Sequence, residues 1–468
     1  MTINSNTLTT SNPKSQVAKS VFVISKKDNF LSKIKGFLKE FPDFNYQTFQ
    51  EINVFLEIPT ESLSPYLFLI DGDVGQNEVT EWTQTLKMSF EKTPLIVFHS
   101  NKNPLNFEII KKNGADHLIH IDFDKEFIID LLLELIPYDF DPHHIPLAAL
   151  SVISNKDLNP DLEINFDVYV HLPFNHKTIL LRKKGSKIEE EKLKKLDQSD
   201  QKVYFKKTEK KEFLEYARTA QTFSNEANPI ALTERNLKTK KLIFLIMSEF
   251  FNQEVTDFKA GKIIFDRCKE IIQEYNLLKD YNPKESFHEI LKYTGEPRTF
   301  YNDAINLCIF SAHLGNIIGL SKEKIESLAL AGLLHNIGLS YLEDYDINTP
   351  FEVLDKNNQE IYLSYPDKSV LMIKGKKVPL PNDVAEAILE HRENLDGSGF
   401  PKKKTADKIH SLSKIIRVAY EFQAMTSLSS DQVKKTPIAA LEEMKEKVLA
   451  NQLPLDMSTI LNFAKSAK

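Results

Sequence analysis

Cysteine is nearly absent. The 468 residues contain two, Cys268 and Cys308. That count excludes a disulfide framework and a cysteine-based zinc site. Each cysteine lies in an apolar, helical-looking stretch, which predicts a buried structural thiol. Long apolar runs are absent too. The strongest, Leu242–Met247 and Leu328–Leu334, fall far short of the ~18 residues that a membrane-crossing helix needs. The first nineteen residues are rich in Ser, Thr and Asn and lack an apolar centre. They do not read as a secretory signal, and a disordered tail is expected over residues 1–19. An excess of positive charge is also missing, since 60 Lys and Arg face 66 Asp and Glu for a net charge of −6. A nucleic-acid polymer, whose partners carry a basic footprint, is therefore not the expected ligand. The remaining composition, 41% hydrophobic and 27% charged, is that of a soluble globular protein. We expect a cytoplasmic chain of about three domains, at roughly 150 residues each.

Short apolar runs alternate with helical spacing between residues 20 and 137. Val21–Ser25, Tyr66–Ile70, Leu95–Phe98 and Leu118–Ile121 read as strands buried on both faces. Leu31–Phe41 and Phe127–Ile136 read as helices. This pattern predicts an α/β domain with a parallel sheet. Residues 138–220 change character. Asp141–Pro146 reads as a linker. Phe166–Leu172, Lys177–Arg182 and Lys202–Lys207 read as strands and Ile188–Leu196 as a charged helix, which gives a small α+β module of unassigned function. Its Lys/Glu-rich face is expected to be solvated surface. From Leu232 onward the periods are three and four. A helical connector is expected over 221–285 and an all-α domain over 286–468.

Two resemblances follow from particular residues. The strand ending at Asp71, the Gly114-Ala115-Asp116 turn and Phe123 resemble a response-regulator receiver domain, a flavodoxin-like fold. The resemblance implies Asp71 as phospho-acceptor. It also implies an acidic pair for Mg²⁺, which falls on Ser25 and Lys26. The Ser/Thr position falls on His99, the Lys on Ile121 and the following Pro on Asp122. With Asp71 alone retained, there is little to hold Mg²⁺. Asp71 is expected to be a vestigial acceptor acting as a turn residue.

The second resemblance is more specific. Leu330-Ala331-Gly332-Leu333-Leu334-His335-Asn336-Ile337-Gly338-Leu339 and Glu390-His391-Arg392-Glu393-Asn394-Leu395-Asp396-Gly397-Ser398-Gly399-Phe400-Pro401 resemble the HD-GYP family. The register continues through Ile409, Lys414-Ile415 and Ala424-Met425-Thr426. The resemblance covers roughly residues 285–430. It implies an all-α HD bundle, a bacterial signalling role and cyclic-di-GMP hydrolysis by metal-bound hydroxide. It also implies eight metal-ligand positions, which fall on Thr299, Asp303, His335, Asn336, Tyr365, His391, Arg392 and Tyr420. Of these, only His335 and His391 keep the family's residue. The Gly-Tyr-Pro loop becomes Gly399-Phe400-Pro401. A family Lys becomes Leu339, and a family Asp becomes Gln423.

Charge sets the consequence. A multi-metal site gathers carboxylates and imidazoles. Asn336 removes the bridging carboxylate, and Arg392 adds a permanent cation. No cofactor is expected, or at most one weakly bound divalent metal on His335, His391 and Asp303. The chain is expected to be a signalling pseudo-enzyme that binds a partner protein, a second copy of itself or cyclic-di-GMP without cleaving it. The rival readings are a residual phosphodiesterase with a reduced metal site and a purely structural scaffold. The vacated site is expected to be filled by Tyr365 and Tyr420 beside the two histidines. Arg392 is expected to pair with Asp303, with Glu393 as second choice. The Gly397–Gly399 turn is expected to position the next helix, and the Lys402–Lys404 run reads equally as a former anionic-ligand site and as an exposed loop charge cluster.

Overall fold

A computed structural model describes residues 19–39, 44–58, 65–136, 145–153, 157–172, 177–198, 202–221, 232–253, 258–428 and 434–467. The tail before Lys19 and the linker residues Asp141–His144 lie outside the described residues. The chain divides into two compact units, Met1–Lys238 and Thr239–Lys468.

The first unit opens with a parallel sheet. Its strands are β1 (Lys19–Ile24), β2 (Phe44–Phe49), β3 (Pro65–Asp71), β4 (Leu95–His99) and β5 (His117–His120), in the order β2-β1-β3-β4-β5. This is the flavodoxin-like order. Helices α1 (Asp28–Leu38), α2 (Ile52–Leu56), α3 (Gln76–Ser89), α4 (Phe107–Lys112) and α5 (Lys125–Leu135) alternate with the strands. The central strands are apolar because helices cover both faces: Val21, Leu67, Leu95 and Val97 are wholly buried. The sequence reading missed β2. As an edge strand, it keeps Asn45, Gln47 and Thr48 exposed and so shows no apolar run.

An antiparallel sheet follows. Its strands are β6 (Leu150–Ile153), β7 (Val168–Leu172), β8 (Lys177–Arg182) and β9 (Val203–Lys206), in the order β6-β9-β7-β8. With α6 (Glu190–Gln198) and α7 (Lys210–Gln221) it encloses Phe166, Phe205, Phe213 and Tyr216. The Phe205 and Phe213 rings stack at 4.4 Å. The end of the expected linker belongs to this structure: Ile145 is buried, and its carbonyl accepts the Thr178 hydroxyl at 2.9 Å. Helix α8 (Leu232–Phe251) begins under a buried carboxylate. Asp157 accepts the backbone N–H groups of Leu232 and Thr233 and the Thr233 hydroxyl, at 2.7–3.0 Å. These bonds satisfy donors that a helix start leaves open.

The second unit is helical: α9 (Phe258–Glu274), α10 (Pro283–Leu291), α11 (Phe300–Ile317), α12 (Lys322–Leu334), α13 (Lys356–Gly375), α14 (Asn382–Glu390), α15 (Ser411–Thr426), α16 (Pro437–Leu449) and α17 (Met457–Ser466). Helix α11 is buried on every side, with only Asn316 outside the core, which makes it the centre of the bundle. Helix α12 lies close against it because of Gly332. A Cβ there would stand 2.6 Å from the backbone of Leu307 and Cys308. Both cysteines are buried free thiols, as the composition predicted.

Candidate functional site

Helix ends aim the two retained histidines. His335 caps the C-terminus of α12, and His391 caps that of α14. Each ring donates its Nδ1–H to the carbonyl three residues earlier, to Gly332 at 2.7 Å and to Ile388 at 2.6 Å. The rings meet edge to face at 5.1 Å. In metal proteins, a backbone bond of this kind fixes the tautomer that leaves Nε2 free as a ligand. Here the His391 Nε2 is occupied, because the Tyr365 hydroxyl donates to it at 2.6 Å. Burial, first of all, pushes the His391 imidazole well below its ordinary pKa and the His335 imidazole down to about 3. Both rings are therefore neutral near pH 7.

The other positions have found structural partners. Thr299 is the N-cap of α11, accepting the Asn302 N–H at 3.1 Å. The Asn336 amide donates to the Phe300 carbonyl at 2.7 Å, a bond no ionised carboxylate could make. Tyr365 on α13 and Tyr420 on α15 are both buried, with rings 5.4 and 5.8 Å from that of His391. Tyr420 also lies 6.0 Å from the His335 ring. The tyrosines pack beside the histidines, Tyr365 against His391 and Tyr420 against both.

The Arg392 expectation needs correction. Its guanidinium does not pair with Asp303, nor with any carboxylate among the described residues. Nη1 instead faces three phenol oxygens: Tyr420 at 2.9 Å, Tyr362 at 3.1 Å and Tyr365 at 3.3 Å. The guanidinium carbon lies 4.5 Å from the Tyr420 ring, 4.8 Å from Phe400 and 5.6 Å from Tyr362. Cation–π attraction and phenol acceptors replace the expected carboxylate. Asp303 pairs with Arg298, whose Nε stands 3.2 Å from Oδ2 and whose Nη2 donates to Tyr420 at 3.3 Å. Arg298 wins by proximity: it immediately precedes the α11 N-cap and folds over the first turn that carries Asp303. Burial would raise the Tyr362 phenol, but the Arg392 charge and hydrogen bond outweigh it and bring it below 10.

Sequence reasoning missed Arg298 and Tyr362. The available signals were a basic residue just before the cap and a tyrosine one helical turn from Tyr365. Glu393 is buried and braces the loop that follows it, accepting the N–H groups of Lys402 at 2.6 Å and Lys404 at 3.0 Å. Buried Glu390 holds the Lys404 ammonium. Phe400 lies against Tyr362 and Tyr365, and Gly399 packs on the Arg392 carbonyl. Gln423 donates to the Asp303 carbonyl at 3.2 Å. Leu339 is buried. Among the described residues, no three His, Cys, Asp or Glu side chains are grouped to hold a metal ion.

The receiver-like sheet has a closed end at Asp71. That carboxylate is 2% exposed and accepts the Ser25 hydroxyl at 2.7 Å and the Asp73 N–H at 2.9 Å. Lys26 pairs outward with Glu78. His99 and His120 are buried with rings 5.3 Å apart, and burial pushes His99 down to about 4. Asp122 is held by Lys33 at 3.0 Å, and Ile121 is core. Acetyl phosphate with Mg²⁺ is therefore expected to leave Asp71 unmodified. A phosphoryl adduct in the intact mass, lost in Asp71→Asn, would contradict this.

Residues 273–453 match the HD domain family. A cyclic di-GMP phosphodiesterase of Borreliella burgdorferi is 33% identical over 122 residues, 26% of this chain and 31% of that protein. A 3'3'-cGAMP-specific phosphodiesterase of Vibrio cholerae is 35% identical over 123 residues, 24% of this chain and 26% of that protein. The chain thus spans about a third or less of the length of these relatives. A solved structure of an HDG"Y"P protein from Bdellovibrio bacteriovorus is 16% identical, aligned over 68% of this chain and 98% of that one at a TM-score of 0.41. No helix among the described residues is long and apolar enough to cross a membrane. Residues 273–453 thus match an HD domain, and about a quarter of the chain is similar in sequence to cyclic-dinucleotide phosphodiesterases.

Proposed function

We propose that the chain is a bacterial signalling pseudo-enzyme that keeps the frame of an HD-GYP phosphodiesterase and acts by binding a partner protein. One observation carries this reading. The Arg392 guanidinium sits at a paired-ligand position, bonded to Tyr362, Tyr365 and Tyr420 and stacked against Phe400. A hydrolytic cluster needs free imidazole nitrogens and a bridging carboxylate to balance its metals. Both His391 nitrogens are used, Asp303 is paired and Asn336 serves a carbonyl. The residues present do not fit a multi-metal cluster. Two guanidinium cations already stand where metal charge would be, against one carboxylate.

The same contacts weigh against cyclic-di-GMP at this position. The aromatic rings that a dinucleotide would have to displace hold the guanidinium that could meet its phosphates. The test is incubation with cyclic-di-GMP and Mn²⁺ or Fe²⁺, followed by chromatography. Product is expected at the level of the buffer control. Turnover that disappears in His335→Ala would establish the residual phosphodiesterase instead. Heat of binding without turnover would establish a non-cleaving dinucleotide sensor.

A further inference from the structure

We propose that the open edge of strand β8 takes an extended, acidic and apolar segment of a partner protein as a fifth strand of the antiparallel sheet. This gives the partner-binding reading a surface, and it holds whether or not the HD domain is catalytic. Among the described residues β8 pairs only with β7, so one side of its backbone has no strand partner there. Main-chain bonding along such an edge is a recurrent mode of peptide capture.

The side chains on this edge are unusual for solvent. Ile179 and Leu180 are 49% and 45% exposed. They are consecutive, so they project to opposite faces of the sheet. A docked strand would therefore find an apolar neighbour on each face. A β-bulge at Leu181 ends the straight edge. Beyond it lie two open surface hollows of mixed charge, the first with Arg182, Lys183 and Glu189 and the second with Asp161, Glu190 and Lys194 on their walls. The two share Lys187 and Glu189.

Charge selects the occupant. Lys177, Lys183 and Lys187 are exposed and form no ion pair within 4 Å among the described residues. Exposed lysines commonly guard an edge against self-pairing. The same lysines attract a strand of opposite sign. Residues 1–19 of this chain contain Lys14 and Lys19 and no Asp or Glu, so they carry the wrong charge.

The test uses the full chain and an amidated peptide alternating glutamate and valine, with its lysine–valine counterpart as control. Fluorescence anisotropy should show binding of the acidic peptide only. Affinity should fall by ~10-fold or more, about 1.4 kcal/mol, in Lys177→Glu/Lys183→Glu and in Ile179→Asn/Leu180→Asn. Melting temperatures of both variants, compared with wild type, separate a loss of binding from a loss of folding. Hydrogen exchange should slow, when the acidic peptide is added, at those amides of Lys177–Leu180 that point away from β7. The proposal is overturned by equal binding of both peptides, by no binding, or by binding insensitive to the variants. It is also overturned by a dimer in sedimentation that dissociates on Ile179→Asn/Leu180→Asn, which would give the edge to a second copy.

Discussion

Arg298→Ala is expected to destabilise the C-terminal unit by about 3–5 kcal/mol, the range for breaking one side of a buried ion pair. The Asp303 side chain is 3% exposed and that of Arg298 is 19%. Without Arg298 the carboxylate keeps its burial and loses its nearest cation. At ~2–4 °C per kcal/mol for a domain of this size, the melting point should fall by roughly 6–20 °C. Asp303→Ala should cost a similar amount, because it leaves the Arg298 guanidinium without its carboxylate. Arg392→Ala should cost less, about 2 kcal/mol, since it removes phenol hydrogen bonds and ring stacking without stranding an ion. Double-mutant cycles in urea separate the cases. Coupling should be large for Arg298 with Asp303 and small for Arg392 with Asp303. The reverse order would restore the pairing expected from sequence and refute the tyrosine-held guanidinium.

Acid should weaken the same unit through its neutral histidines. His335 has a folded pKa of about 3, against roughly 6.5 unfolded. Between those values the unfolded chain binds a proton that the native state refuses, so stability rises with pH and is lost as pH falls. The contribution is fully present above about pH 6.5 and declines from there toward pH 3. His391 acts in the same direction. Asp303 opposes it, because burial holds its carboxyl above the ordinary range despite Arg298. A comparison isolates one imidazole. His335→Gln cannot titrate, so the stability gap between wild type and variant should narrow by roughly 1.4 kcal/mol for each pH unit below 6. Parallel pH profiles for the two proteins would contradict a neutral, buried His335.

Legibility from sequence followed burial and locality. Strands β1, β3, β4 and β5 were readable because helices on both faces demand unbroken apolar runs. Strand β2 was not, because an edge strand with Asn45, Gln47 and Thr48 exposed carries no such run. Strand β8 was read at its observed limits, since an apolar Ile179-Leu180-Leu181 centre is bounded by polar residues and followed by a basic turn. The loss of ligands at Asn336, Arg392 and Tyr420 was visible residue by residue, as was the filling of the site by aromatic rings. The partner of Arg392 was not visible. That choice depended on Arg298 reaching Asp303 first and on Tyr362 standing one turn before Tyr365. Neither residue falls on a ligand position, so no motif points to them.

Metal content tests the central claim most directly. The full chain would be purified without chelator from cells supplied with manganese and iron, and metal per chain measured by mass spectrometry alongside Asn336→Asp. The account predicts well under one equivalent in both proteins. In the variant, the restored carboxylate meets the Phe300 carbonyl that the amide now serves at 2.7 Å, and Arg392 still occupies the site. Two equivalents of metal in the wild-type chain, lost on His335→Ala, would show a working centre and contradict the account.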